Sequence, residues 1–90
     1  MTIEKLEEIF TKAIQEHYSY VAVAIKNGVQ HDAEIIINMP SNFSNKLDYY
    51  KKAYSNHDNK LILNACKTIN IIGASSGNKL DSIILELQNL

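Results

Sequence analysis

The sequence IIINMPSNFSNKLDYYKKAY, residues Ile35–Tyr54, joins a strand pattern to a helix pattern through a single proline. It begins with three isoleucines that are closed by Asn38, and such a β-branched run favours a strand over a helix. Pro40 fixes its own φ and restricts Met39 to extended geometry, so the strand must end before the proline. The stretch therefore predicts a strand that is followed at once by a helix.

The helix is predicted from the residues after Pro40. Either Ser41 or Asn42 can accept a hydrogen bond from the next backbone amides and begin the helix. Four apolar side chains then recur on one face at helical spacing: Phe43, Leu47, Tyr50 and Tyr54. Strand, turn and helix can thus bury one continuous apolar surface.

The runs EIIIN, NF and KLDYYKKAY, together with the later INIIG, resemble those of a group of small proteins encoded by phages and prophages of Gram-positive bacteria. The resemblance covers roughly residues 18–90, and YYKKAY is its most specific part. The turn after Ile25 departs from the pattern, which has a longer, proline-containing loop there. The resemblance implies a phage or prophage context and no particular chemistry.

Upstream of this region, the sequence predicts a first helix and a first strand. Thr2 can cap a helix that runs to about Gln15, with a stripe of apolar residues at helical spacing. Tyr18–Lys26, YSYVAVAIK, then has the β-branched and aromatic composition of a strand.

The connection between the first two strands determines which side chains face the core. Asn27-Gly28 is the usual signal of a two-residue type I′ turn, but that register sets Val23 opposite Asp32 and puts charge into the core face. A five-residue loop, Asn27–His31, instead pairs Val23 with Ile35. Because a slip of one residue turns every side chain over, the pattern of apolar faces favours the longer loop.

The C-terminal part predicts a third strand, a turn and a last helix. Thr68–Gly73 has a strand pattern, and Gly73–Gly77 is predicted as a turn. Asn78 can cap the last helix, with Asp81 at the position that reaches back to the cap. The polar run SNHDNK predicts a loop, and Leu61–Leu63 after it fits either a short edge strand or one helical turn.

The predicted order is α-β-β-α-β-α in a single domain, residues 1–90. This is an α+β fold in which helices pack on a small, three-stranded, mostly antiparallel sheet. Placing the third strand beside the first gives the strand order 2-1-3. Such a sheet has two open edges, and open edges invite pairing with another chain.

The composition argues against several functional classes. The formal net charge is −1 and every basic residue is lysine, so neither a long-range field nor arginine contacts support nucleic-acid binding. No apolar run approaches the about 20 residues of a membrane span, and we expect a cytoplasmic protein of the host cell. The three histidines and the single Cys66 lack metal-ligand spacing, and Cys66 is interpreted as a buried small side chain. We therefore expect no metal, cofactor or catalytic group.

The best candidate for a ligand site is the predicted turn GASSGNK between the third strand and the last helix. Glycines let the backbone curl, and free amides at a helix N-terminus attract phosphate and other anions. The candidate residues are Gly73, Ser75, Ser76, Gly77 and Lys79. The spacing is not that of a Walker A loop, and an ordinary capped turn explains the same residues.

Apolar side chains beyond the needs of one core predict a protein-binding surface. The candidates are Tyr20 and Ile36 on the second sheet face, Tyr49 at the edge of the central helix stripe, and Leu85 off the stripe of the last helix. Alternatively, the N-terminal and C-terminal helices cover opposite faces of the sheet.

The leading hypothesis is a non-enzymatic phage or prophage accessory protein that binds a protein, either a host component or a second copy. The alternative is a protein that binds a nucleotide or another anion at Gly73–Lys79.

Overall fold

The computed structural model describes residues 1–28 and 32–90, which form three α-helices and five strands. The helices are α1 (Ile3–Gln15), α2 (Phe43–Ala53) and α3 (Leu80–Gln88), and a 3-10 turn, Pro40–Asn42, precedes α2. The strands are β1 (Tyr20–Asn27), β2 (Glu34–Asn38), β3 (Tyr54–His57), β4 (Lys60–Leu63) and β5 (Ile69–Gly77). The α+β class is confirmed, but the described sheet has five strands where the sequence predicts three.

The strands form one sheet in the order β2-β1-β5-β4-β3, and all neighbours are antiparallel. The sequence left the position of the third predicted strand open, and this strand, β5, lies beside β1. On one face, α1 and α2 cover a core that includes Phe10, Val23 and Tyr50. On the other face, α3 packs against Ala22 and Ala24 of β1. The first and last helices therefore cover opposite faces of the sheet, which accounts for much of the apolar surplus.

The pairing of β1 with β2 differs by one residue from the predicted register. Val23 lies opposite Ile36 and not opposite Ile35. Ile36 therefore shares the face of α1 and α2, while Ile35 and Ile37 pack toward α3. The predicted register was chosen to keep charged residues off the core face, but helices cover both faces, and isoleucine can be buried on either. Residues 29–31 of the predicted loop lie outside the described part of the chain.

β5 continues through the residues that the sequence predicts as a turn. Gly73–Gly77 is extended and pairs with β1, so the predicted turn is wrong. At Gly73 the chain after α3 lies close to the strand, and a Cβ there would come 2.5 Å from Cδ1 of Leu90, so that side chain would have to move. A β-bulge interrupts the pairing with β1 and leaves Ile72 as the extra residue.

β3 and β4 form a hairpin that the sequence analysis does not predict. The two turn residues, Asp58 and Asn59, have φ angles of 49° and 68°, as a type I′ turn requires. The run SNHDNK is therefore not a loop, and Leu61–Leu63 belongs to a strand. Asp-Asn is a weak signal because it lacks the glycine that usually marks this turn. Tyr54 is buried as predicted, but it is the first residue of β3 and not part of the helix.

The helix ends confirm one predicted cap and correct another. Thr2 caps α1, and its Oγ1 accepts a hydrogen bond from the Lys5 amide at 3.3 Å. Asn78 does not cap α3, because Lys79 occupies the N-cap position. Instead, Oδ1 of Asn78 accepts hydrogen bonds from the amide and the hydroxyl of Ser19, at 2.9 and 3.2 Å. Asn78 thus ties the end of β5 to the start of β1.

Candidate protein-binding edge

The outermost strands of the sheet are β2 and β3. β1 pairs with the inner side of β2, and no strand in residues 1–28 or 32–90 pairs with its outer side. Backbone amides and carbonyls on that side can therefore pair with a strand from another chain. We call the outer side of Glu34–Asn38 the β2 edge.

The β2 edge is apolar and regular. Its sequence is EIIIN, and Glu34 at one end is its only charged residue. The pairing with β1 has no register shift, so no bulge turns the edge aside. Pro40 lies beyond the end of the strand and not within it. Charge, bulges and proline are the usual protections of an exposed edge, and the three isoleucines have none of them.

A groove borders the β2 edge on the side of α3. Ile35 lines it together with Ile72 of β5 and Leu87 of α3, and its volume is about 340 Å³. Lys26 and Asp32 contribute the charged groups of its lining. The groove exists because α3 packs over β5 and β1, which leaves β2 at its side. Ile35 of the β2 edge thus lies beside a depression whose lining is part polar and part apolar.

The β3 edge is short, polar and tied to α1. Oδ1 of Asn56 accepts a hydrogen bond from the Ile3 amide at 2.9 Å, and its Nδ2 donates one to Oε1 of Glu4 at 2.8 Å. The strand has only four residues and continues directly into the type I′ turn. A short, polar edge that is held by neighbouring groups is a poor template for another strand.

The four residues predicted for partner binding do not form one surface. Tyr20 is half-buried against the core under α3, whereas Ile36 lies on the opposite sheet face. Tyr49 is 49% exposed on α2 and Leu85 is 60% exposed on α3, so these two side chains lie on opposite sides of the sheet. Only Ile36 belongs to the β2 edge.

Sequence reasoning did not select the neighbours of Ile36 on the β2 edge, which are Glu34, Ile35 and Ile37. The EIIIN run is visible in the sequence, and open edges are expected in a small sheet. Which strand lies at an edge depends on strand order. The opposite side of the sheet is formed by β3, which was not predicted, and by β4, whose residues Leu61–Leu63 fit either a strand or a helical turn. The run itself is therefore the only local signal for the site.

An intramolecular contact accounts for the exposed tyrosine of α2. Nζ of Lys46 lies 5.3 Å from the ring centroid of Tyr49 and 5.4 Å from that of Tyr50, within the range of a cation–π interaction. The Tyr49 and Tyr50 rings are themselves 5.4 Å apart. Tyr49 thus packs on side chains of its own helix.

Tyr50 is a buried polar side chain. It is 1% exposed, and its hydroxyl has no hydrogen-bond partner among the described residues. Burial raises the pKa of Tyr50 to about 12. The side-chain amide of Asn38 lies near enough to lower this pKa slightly, but it donates its hydrogen bond to the carbonyl of Val21, at 3.2 Å. The hydroxyl is thus enclosed by the core.

The residues predicted for anion binding do not form a cradle. Gly73–Gly77 is an extended strand, in which successive amides point to opposite sides and do not converge. Ser75 is buried, and its hydroxyl donates a hydrogen bond to Oε2 of Glu86 at 2.8 Å. That carboxylate would repel an anion. Ser76 lies on the other sheet face, and Lys79 is exposed at the start of α3. Anion binding here stays a prediction, although the turn on which it was based is a strand.

The exposed cysteine and the possible metal-ligating groups are the remaining reactive side chains. Cys66 is exposed, contrary to the predicted burial, and its Sγ lies 3.2 Å from Oγ1 of Thr68. Hydrogen bonding to Thr68 lowers the pKa of the thiol. In the described part of the chain, no three His, Cys, Asp or Glu side chains lie together as a metal site requires. No described helix combines the length and the apolar character that crossing a membrane demands.

Comparisons with known proteins do not assign this chain to a family. No family model, no curated protein and no solved structure matches it. The fold and the β2 edge alone therefore define the class of protein, an α+β domain with one open, apolar sheet edge.

Proposed function

We propose that this protein acts by binding another protein chain, and that the partner adds a strand to the β2 edge. The observation that carries this proposal is a run of three isoleucines on an outer strand that is paired on one side only. An added strand satisfies the free amides and carbonyls, and its alternate side chains contact the two sheet faces. The protein would act without catalysis.

Simple energetics indicate what the partner must provide. A strand that pairs with the five residues of β2 makes about four to six backbone hydrogen bonds. Each of these bonds contributes about 1 kcal/mol net, which together offset only the lower part of an association cost of ~4–15 kcal/mol. Apolar contacts with Ile35, Ile36 and Ile37 must supply the rest. We therefore expect a partner segment that is extended and rich in β-branched or aromatic residues.

The groove beside Ile35 lies over β1 and β5, on the side of β2 that faces away from an added strand. Side chains of the added strand that point toward α3 would therefore contact Ile35 and Ile37, which point to the same face. Backbone pairing would supply affinity, and these side-chain contacts would supply part of the specificity.

The biological context of this proposal comes from the resemblance of the YYKKAY region to phage and prophage proteins. In that context, the partner is another phage protein, a host component or a second copy. No contact among the described residues favours the alternative of a nucleotide or anion at Gly73–Lys79.

A peptide selection tests the proposal. Random peptides displayed on cells are selected against the immobilised protein and then screened against the Ile36→Lys variant, which places a charge at the centre of the β2 edge. We expect the enriched peptides to carry β-branched residues and to bind the variant at least about tenfold more weakly, since an inward charge blocks edge pairing. Leu85→Lys is the matched control, because Leu85 is exposed on α3 and lies outside the β2 edge.

Circular dichroism and thermal melting first establish that both variants are folded. Peptides that bind Ile36→Lys as tightly as the wild type would contradict the proposal. The same holds if binding is lost in Leu85→Lys alone, since the partner would then contact α3.

A further inference from the structure

The β2 edge is complementary to itself, and we infer that its occupant is a second copy of this chain. This inference rests on the proposed function of the β2 edge and names its partner. Two copies would pair β2 with β2 in antiparallel orientation, so that two five-stranded sheets become one continuous sheet. The described edge fits this arrangement in register, side-chain pattern and charge.

Symmetry restricts the register of the pair. A two-fold axis perpendicular to the sheet leaves every side chain on the face that it occupies in the single chain. Residues that lie directly opposite in an antiparallel pair must point to the same face. Ile36 points to the face of α1 and α2, whereas Ile35 and Ile37 point to the face of α3. The axis must therefore pass between two identical residues.

Among the registers that remain, the one centred on Ile36 pairs every residue of the strand. It sets Ile36 opposite its own copy, Ile35 opposite Ile37, and Glu34 opposite Asn38. Centring the pair on Ile35 or on Ile37 leaves strand residues without a strand residue opposite them. The register centred on Ile36 is thus the most complete one.

Charge and side-chain pattern agree with this register. Glu34 is the only ionisable residue of the β2 edge, and it faces the neutral Asn38, so no like charges are opposed. On the α3 face, Ile35 and Ile37 of the two copies form a cluster of four isoleucines in two cross-strand pairs. On the opposite face, two Ile36 side chains meet at the axis. Apolar groups therefore meet apolar groups throughout.

The contact between the two β2 strands is small, so we expect the two copies to associate weakly. Stable interfaces bury about 1,200–2,000 Å² in total, and a pair of five-residue strands is a small contact by that standard. We therefore expect a dimer whose population rises with protein concentration. The dimer would also present two grooves on one face, each beside its own copy of Ile35.

Sedimentation equilibrium over about a hundredfold range of concentration tests the inference. The wild type is expected to approach twice the mass of the chain at the highest concentrations. Ile36→Lys and Ile36→Glu are each expected to stay monomeric, because two like charges would face each other at the axis. An equal mixture of the two variants is expected to dimerise again, because lysine then faces glutamate. Leu85→Lys should keep the dissociation constant of the wild type within about twofold.

Cysteine cross-linking at the axis provides a measurement that does not depend on placing a charge in β2. Opposed Cα atoms of an antiparallel pair are about 4.5–5.5 Å apart, which a disulfide can span. In a Cys66→Ser background, Ile36→Cys is expected to give a covalent dimer on mild oxidation with diamide. Leu85→Cys in the same background should stay largely monomeric.

The outcomes separate this inference from the proposed function. A wild type that stays monomeric while selected peptides bind the β2 edge overturns the dimer and leaves the proposed function intact. A monomeric wild type that also enriches no peptides overturns both. Dimers that persist in both charged variants, or Ile36→Cys chains that fail to cross-link, overturn the register centred on Ile36.

Discussion

The two outer strands of this sheet differ in how they are protected. β3 has four residues, ends in a type I′ turn and is joined through Asn56 to Ile3 and Glu4 of α1. β2 has five residues, three of them isoleucine, and no described strand covers its outer side. One edge is thus short, polar and tied down, whereas the other is longer, apolar and open.

This contrast identifies the interface candidate. Exposed apolar strands promote association, and folded chains usually blunt them with charge, proline, bulges or a covering element. The chain blunts β3 with polar side chains and with the start of α1, yet it leaves its most β-prone run open. The open state of β2 is therefore a specific property of one edge and not a general consequence of a small sheet. Four predictions test the contrast, from the largest expected effect to the smallest.

Loss of the aromatic anchor of β3 should have the largest effect. Tyr54 is 5% exposed, and its ring centroid lies 5.8 Å from that of Tyr50. We expect Tyr54→Ala to lower the free energy of unfolding by about 3 kcal/mol, because it leaves a cavity under α2. Tyr49→Ala is the matched control, and its exposed ring should contribute less than about 1 kcal/mol. Urea denaturation measures both, and equal losses would show that β3 is not anchored through this ring.

Alkaline pH should lower the free energy of unfolding through the buried tyrosines Tyr50 and Tyr54. Burial raises the pKa of Tyr50 to about 12 and also raises the pKa of Tyr54. Above pH 10 the unfolded chain loses the Tyr50 phenol proton while the folded chain keeps it, so stability falls as pH rises. One such group contributes up to about 1.4 kcal/mol per pH unit until the pH reaches the folded pKa.

The Tyr50→Phe variant isolates this contribution. It should remove the larger part of the alkaline loss and leave the part that comes from Tyr54. At neutral pH its stability should stay within about 1 kcal/mol of the wild type, because the lost hydroxyl has no described hydrogen-bond partner. Urea melts at several pH values between 8 and 11 measure the slope. Identical slopes for the two proteins would contradict an ionisation that is suppressed in the folded state.

Removing the polar contact of β3 should make the two edges more alike. We expect Asn56→Ala to cost about 1 kcal/mol, since it deletes two exposed hydrogen bonds to α1. Hydrogen exchange of the β3 amides should quicken in the variant, while exchange in β2 should not change. Asn45→Ala, an exposed asparagine of α2, is the control that should leave β3 exchange unaffected. Unaltered β3 exchange in Asn56→Ala would show that α1 does not protect this edge.

The smallest effect is expected at the turn that closes β3. Asn59 has a φ of 68°, and glycine adopts this conformation without strain from a Cβ. We expect Asn59→Gly to stabilise the protein by about 0.5 kcal/mol, because asparagine already tolerates this conformation well. Gly28→Ala should have the opposite sign, since Gly28 has a φ of +58°. A melting temperature that falls in Asn59→Gly would contradict the type I′ geometry.

Local patterns predicted the elements whose signals lie within a few residues. The apolar stripe after Thr2 predicted α1 and its cap, and the run YVAVAIK predicted β1. Pro40 correctly marked the end of β2 and the start of the central helix. These predictions hold because caps, proline and periodicity act over one or two turns of chain.

Signals that depend on distant contacts were misread. Glycine and serine in IGASSG resemble a turn, but these residues continue the strand and pair with β1. The predicted pairing of β2 with β1 was wrong by one residue. Helices cover both faces of the sheet, so the polarity of the strand residues does not indicate which face each of them occupies. The hairpin of β3 and β4 was not predicted, because its turn has no glycine.

For the candidate site, the sequence alone established that EIIIN is a strand that ends before Pro40. β-branched side chains and proline restrict the backbone locally, and no distant residue is needed for that result. Tertiary structure placed this strand at an edge and turned Ile36 toward α1 and α2. An edge exists only through strand order, and strand order is set by pairing between β1 and β5, which lie more than 40 residues apart in the chain. The run of isoleucines is therefore a local property, whereas its position at an open edge is a property of the whole sheet.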